Sequence, residues 1–160
     1  AARGSVLPLY IVEPEYWQGA DTSGRQWYVV RESLVELQAA LHELGLPLIV
    51  RQGDAVNVLD ALRREQKIAA LWSHEETGNA FTFARDKRVA GWAREQAVVW
   101  TEIQQFGVMR RLKQRGGWVK HWEAHMNQPV QAMPTKIEAV QSCASEAIPS
   151  AQALGIQEDH

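Results

Sequence analysis

The chain has 160 residues, 46% of them apolar and 22% charged, with a formal net charge of −2. That length suffices for one domain burying roughly 70% of its unfolded-chain surface, and the composition excludes a mostly disordered polypeptide. The small net charge excludes a global electrostatic pull on nucleic acid, though not a local basic stripe.

Cys143 is the only cysteine, so neither an internal disulfide nor a cysteine-based zinc site can form, and a reducing cytoplasm is the expected setting. No apolar run approaches the roughly 18 residues of a membrane span, and no signal peptide opens the chain. Its start, Ala1-Ala2-Arg3-Gly4-Ser5, reads as the tail of a helix that begins further upstream. The seven tryptophans read first as core and helix-docking residues, and second as a stacking surface for a planar ring.

In chain order, Leu7 to Val12 is a short apolar run ending at Glu13-Pro14, the pattern of a strand buried on both faces. A polar loop covers 18–25. Helical periodicity follows from about Trp27 to Leu44, with Leu34, Leu37, Leu41 and Leu44 on one stripe and Gly45 at the C′ position. The next strand is Leu46 to Val50. Asp54 then caps a helix lined by Val56, Leu59 and Leu62. Ile68 to Trp72 is a third strand, and Ser73 to Asn79 a polar loop. Phe83, Val89 and Trp92 lie on a helix ending near Gln96, and Ala97 to Ile103 is a fourth strand. A basic helix is expected from Met109 to Met126, interrupted near Gly116-Gly117.

Strands at about 7–13, 46–51, 68–73 and 97–103, alternating with helices, predict right-handed βαβ units. The expected fold class is α/β: a parallel sheet with helices on both faces, Rossmann-like or flavodoxin-like. After Pro129 the composition turns to Pro, Ser, Ala and Gln, the signature of a linker that packs loosely. The predicted division is therefore a domain over 1–129 and a linker over 130–160.

Ligands of open α/β sheets bind beyond the carboxyl ends of the strands. Those ends are Glu13-Pro14-Glu15, Arg51-Gln52-Gly53, Ser73 to Glu76 and Thr101-Glu102-Ile103. The loop Ser73 to Asn79 is the best candidate, because Gly78 allows close backbone approach and a helix N-terminus follows. The bland alternative is that His74 and Glu75 satisfy loop backbone or an interface. Arg85-Asp86 is a surface ion pair on that alternative and the flank of a pocket on the other. Adjacent His74, Glu75 and Glu76 diverge too far to ligate a metal together. No G-x-S-x-G elbow, G-x-G-x-x-G turn or phosphate-binding loop is present. Arg110, Arg111, Lys113, Arg115 and Lys120, set against Glu123, form a solvated face or interface, or else a phosphate-contacting patch.

Three segments together resemble the photolyase/cryptochrome family. They are Leu7 to Pro14 with a helix ending in Leu44-Gly45-Leu46-Pro47-Leu48; Ser73-His74-Glu75-Glu76-Thr77-Gly78-Asn79 leading to Ala84-Arg85-Asp86-Lys87-Arg88-Val89; and Gln105-Phe106-Gly107-Val108-Met109-Arg110-Arg111-Leu112 followed by Gly117-Trp118 and Trp122. The resemblance spans about residues 1–129. It implies an N-terminal antenna domain able to hold a folate, deazaflavin or lumazine chromophore. A helical partner domain of the same parent chain would bind FAD and damaged DNA and split pyrimidine dimers in light; cryptochromes signal instead. His74, Glu75, Glu76, Phe81, Thr82, Arg85 and Asp86 would line the antenna site. The family's opening strand, with its Arg-Arg-Asp-Leu-Arg type segment, is missing here, as is the FAD domain. No catalysis, metal or membrane association is expected of this chain alone. The competing readings are a free-standing flavodoxin-like or nucleotide-binding module, and an interaction domain with an empty pocket.

Overall fold

A computed structural model describes residues 4–110, 112, 114, 116–134, 137–140 and 142–156. Their elements run β1 (Leu9–Val12), α1 (Pro14–Trp17), α2 (Gly24–Glu43), β2 (Ile49–Gln52), α3 (Ala55–Gln66), β3 (Ala70–His74), α4 (Ala80–Glu95), β4 (Val99–Ile103) and α5 (Trp118–Met126), then a 3-10 turn at Gln152–Leu154. The described residues form two compact units, one from 1–67 with 134–160 and one from 68–133. Each contains one parallel strand pair joined by a helical crossover, as the alternation predicts.

In the first unit β1 pairs with β2, Leu9 opposite Ile49 and Val12 opposite Gln52. Ser23 starts α2 by accepting the Gln26 N–H on its side chain at 3.3 Å. The helix ends in a Schellman arrangement: Leu46 N–H donates to Leu41 C=O and Gly45 N–H to His42 C=O, both at 2.9 Å, with Gly45 at φ +75°. Its inward side is Trp27 and Leu34, which join Val12, Trp17, Leu48, Val50 and Leu154 in one core cluster. Leu37, predicted on the buried stripe, is 45% exposed, because a core face centred on Trp27 and Leu34 leaves it at the flank. Asp54 caps α3 as predicted, its Oδ1 accepting from Val56 and Asn57 N–H. Glu13, 6% exposed at the end of β1, accepts the Ala55 N–H at 3.4 Å.

The segment expected to pack loosely instead completes this unit. Leu154 is 2% exposed, and Ile148, Ala151 and Ile156 pack against the same cluster. Val50 donates its N–H to Ser145 Oγ at 3.0 Å and accepts the Glu146 N–H at 2.9 Å, so the outer edge of β2 is closed. Trp27 Nε1 donates to Pro149 C=O and Gln18 Nε2 to Leu154 C=O. The composition of this stretch suggested that ordering entropy would prevail. A few buried apolar anchors and edge hydrogen bonds offset it.

In the second unit β3 pairs with β4, Ala70 opposite Val99 and His74 opposite Ile103. Asn79 caps α4, its Oδ1 accepting the Thr82 N–H at 3.2 Å. Val89, Trp92, Ala93 and Val98 are buried, whereas Trp72, Val99 and Ile103 are at least half exposed. The basic helix begins later than predicted. Gly117, at φ +86°, is the N-cap of α5, and a left-handed residue there stops a helix from running through from Met109. Arg111, Lys113 and Arg115 of the predicted basic face lie outside the described residues. Gly107 lies so close under Trp122 that a Cβ would fall 1.9 Å from the indole Cδ1.

Candidate functional site

The carboxyl ends of β3 and β4 are held level by the bond from Glu75 N–H to Ile103 C=O at 2.9 Å. From that rim the chain turns through Glu76 to Asn79 into α4. Glu76 folds over the turn, Oε1 accepting from Thr77 N–H at 2.9 Å and Gly78 N–H at 2.8 Å. The turn is tight: a Cβ on Gly78 would lie 2.8 Å from Thr82 Oγ1 and 2.9 Å from Glu76 Oε1. Thr82, 4% exposed, seals it by donating its hydroxyl to Asn79 C=O at 3.0 Å. The side chains of Thr82 and Glu76 thus leave no room for a Cβ at position 78.

One turn further along α4, Arg85 bridges two carboxylates. Its Nη2 donates to Glu76 Oε2 at 3.4 Å, and Nε and Nη2 reach Asp86 Oδ1 at 3.1 and 3.0 Å. The Arg85 and Asp86 side chains keep only 22% and 13% of their surface exposed, which sets them apart from an ordinary surface pair. Burial pushes the Asp86 carboxyl above its usual value. Arg85 opposes this, while the charges of Glu102 and Glu76 add to it. From β4, Glu102 accepts from Arg110 Nη1 at 2.5 Å, and this bond, reinforced by the charges of Glu102, Glu75 and Asp86, holds the Arg110 proton more firmly than usual.

Of the residues singled out in the sequence, the structure links Glu76, Arg85 and Asp86 directly, and Thr82 through the turn. Glu75 faces Arg110 electrostatically. Phe81 is half-buried in the first turn of α4. His74 closes β3 exposed to solvent, with no hydrogen bond to the cluster among the described residues. Sequence reasoning did not join Glu102 and Arg110 to the site. The strand-end rule pointed to Glu102, but its partner lies beyond an intervening loop. Among the described residues no group of three or more His, Cys, Asp or Glu could hold a metal ion, and no helix is long and apolar enough to cross a membrane.

Parallel strand pairs, crossover helices and a polar rim beyond the strand ends define an α/β domain of the kind that holds ligands at its strand termini. Comparison with family models matches residues 1–111 to DNA photolyase. The chain belongs to the DNA photolyase family, and its fold is that of the family's N-terminal α/β domain. Among solved structures, a bacterial class III photolyase from Agrobacterium tumefaciens superposes with a TM-score of 0.73 at 22% identity, over 95% of this chain and 33% of its own. An archaeal photolyase from Sulfolobus tokodaii, crystallised with two FAD molecules and discussed as implicating a novel light-harvesting cofactor, gives 0.68 at 18% identity, over 96% and 36%. The chain therefore spans about a third of the length of these structures. Comparison with curated proteins gives no match.

Proposed function

We propose that this chain is the antenna-binding and scaffold portion of a light-dependent deoxyribodipyrimidine photolyase or a related cryptochrome, and that the rim around Arg85 is where it holds a chromophore. The observation that carries this reading is the Glu76–Arg85–Asp86 bridge, mostly withdrawn from water beside a tight turn and a helix N-terminus. The donor set fits the group. The heterocycle of a folate, deazaflavin or lumazine presents ring nitrogens and carbonyls that want both donors and acceptors at one edge, with an apolar wall alongside. Arg85 would supply donors, Glu75, Glu76 and Asp86 acceptors, and Phe81, in the first turn of α4, an aromatic wall. Thr82 fixes the turn, and His74 stands at the outer margin. When bound, such a chromophore absorbs light and passes the excitation on; these side chains bind it, orient it and exclude water.

On this reading residues 1–129 are the antenna domain and 130–160 lead to a helical domain that binds FAD and damaged DNA in the cytoplasm. The present chain catalyses nothing by itself. The test is the absorption spectrum of the chain purified from cells that make these chromophores. A near-ultraviolet or visible band beyond that of the aromatic side chains supports the proposal. Stoichiometric FAD with no antenna chromophore would sink it and favour a free-standing flavodoxin-like module.

A further inference from the structure

We infer that the apolar face of α5, together with the loop after β4, docks on an anionic lipid surface as a peripheral contact. This goes beyond the function proposed above and rests on the second unit alone. In α5, Trp118, Trp122 and Met126 recur every four residues and Val119 lies beside them, so the four form one stripe. In a helix that completes a core, such a stripe is the covered side. Here no residue of α5 is buried, and the four are between 40% and 57% exposed. Phe106 and Val108 extend the patch, because Gly107 between them lies directly under Trp122. A contiguous exposed apolar patch marks a contact surface. A helix of 9 residues is also marginal in water, so covering this stripe stabilises it.

The charge beside the stripe selects the partner. Over residues 104–133, Arg110, Arg111, Lys113, Arg115 and Lys120 stand against Glu123 alone, a net of +4 in a chain whose net is −2. Arg110 is held by Glu102, and Lys120 is exposed on the side of α5 opposite Trp122. Cations beside an apolar face complement a surface that is anionic outside and apolar within, as acidic head groups over acyl chains are. Nucleic acid is the other polyanion of this charge. It stacks its bases on flat rings, and Trp118 and Trp122 offer two, 6.4 Å apart and tilted by 34°. Val108, Val119 and Met126, however, have no ring to stack on. A lipid surface takes up aliphatic and aromatic side chains alike, with indoles at the head-group level. A peripheral contact needs no spanning run, the feature whose absence led to the expectation of no membrane association.

The test is co-sedimentation of the 160-residue chain with two kinds of vesicle, phosphatidylcholine alone and phosphatidylcholine with about 30% phosphatidylserine. Partitioning onto the anionic vesicles should be at least about tenfold stronger, and should fall as salt rises from about 0.1 to about 0.5 M. A Val119→Ser, Met126→Ser double variant removes aliphatic surface that no core uses, and should weaken that binding by about tenfold or more. Lys120→Glu should weaken it several-fold. Val29→Ser, at an exposed apolar residue of α2, should bind as the parent chain does. All variants should keep the parent's urea midpoint, because every changed side chain is exposed. Absence of vesicle binding overturns the inference, as does equal binding to neutral and anionic vesicles or by the double variant. Tighter binding to a single-stranded oligonucleotide than to the anionic vesicles, weakened by the same substitutions, also overturns it by making nucleic acid the occupant.

Discussion

Leu154→Ala tests whether the C-terminal stretch is structural. Leu154 is 2% exposed, and its cluster includes Val12, Trp17, Trp27 and Val50. Removing three carbons at ~0.8 kcal/mol each forfeits about 2.4 kcal/mol of transfer free energy. A residual cavity raises the total to about 3 kcal/mol, within the usual range for a buried leucine. For a chain of this size that lowers the Tm by roughly 6–12 °C. The assay is urea unfolding followed by tryptophan fluorescence, since Trp17 and Trp27 meet edge to face 4.8 Å apart next to the site. The midpoint should fall with the slope unchanged. Val130→Ala, at a residue 97% exposed, is the control and should shift stability by less than about 0.5 kcal/mol. A Leu154→Ala effect as small as that of the control would refute the reasoning and return 142–156 to the status of a loose linker.

Ser145→Ala removes the acceptor of the Val50 N–H and should cost about 1–2 kcal/mol in the same urea titration; no change would mean that the edge of β2 is closed by other means. Gly78→Ala forces a Cβ against Thr82 and Glu76, and should cost about 1–2 kcal/mol while displacing Glu76 from Arg85, a change visible in the Arg85 side-chain resonances. Burial raises the Asp86 carboxyl above its usual 3.8, so folding takes up a proton there and stability falls as pH rises through the window just above that value. Asp86→Asn should flatten that part of the stability–pH profile, and an unaltered slope would contradict the assignment.

Much of the fold was legible because its signals are local. Short apolar runs separated by helical periods predicted parallel pairing, and Asp54 and Gly45 carry the side chain or freedom that their caps require. The turn at Gly78 and the Arg85-Asp86 pair could also be read from sequence. Pairings that depend on the third dimension could not. Glu102 meets Arg110 only because a loop returns the chain to the strand end, and Ser145 meets Val50 from 95 residues away. The same limit hid the packing of 142–156, whose composition carries no trace of the edge that Ser145 and Glu146 close. The interruption expected near Gly116-Gly117 is present, with Gly117 at φ +86° as the N-cap of α5, but the predicted helix before it is not seen among the described residues.

The rim around Arg85 is proposed to hold a planar chromophore. Its most direct test is a fluorescence titration of the chain with folate, deazaflavin and lumazine chromophores, beside a Glu75→Ala, Arg85→Ala double variant and a Glu32→Ala control at an exposed position of α2. One of the three should saturate the chain and the Glu32→Ala control alike, while the double variant binds it at least about tenfold more weakly, a loss of roughly 1.4 kcal/mol. Equal binding by the double variant would contradict it.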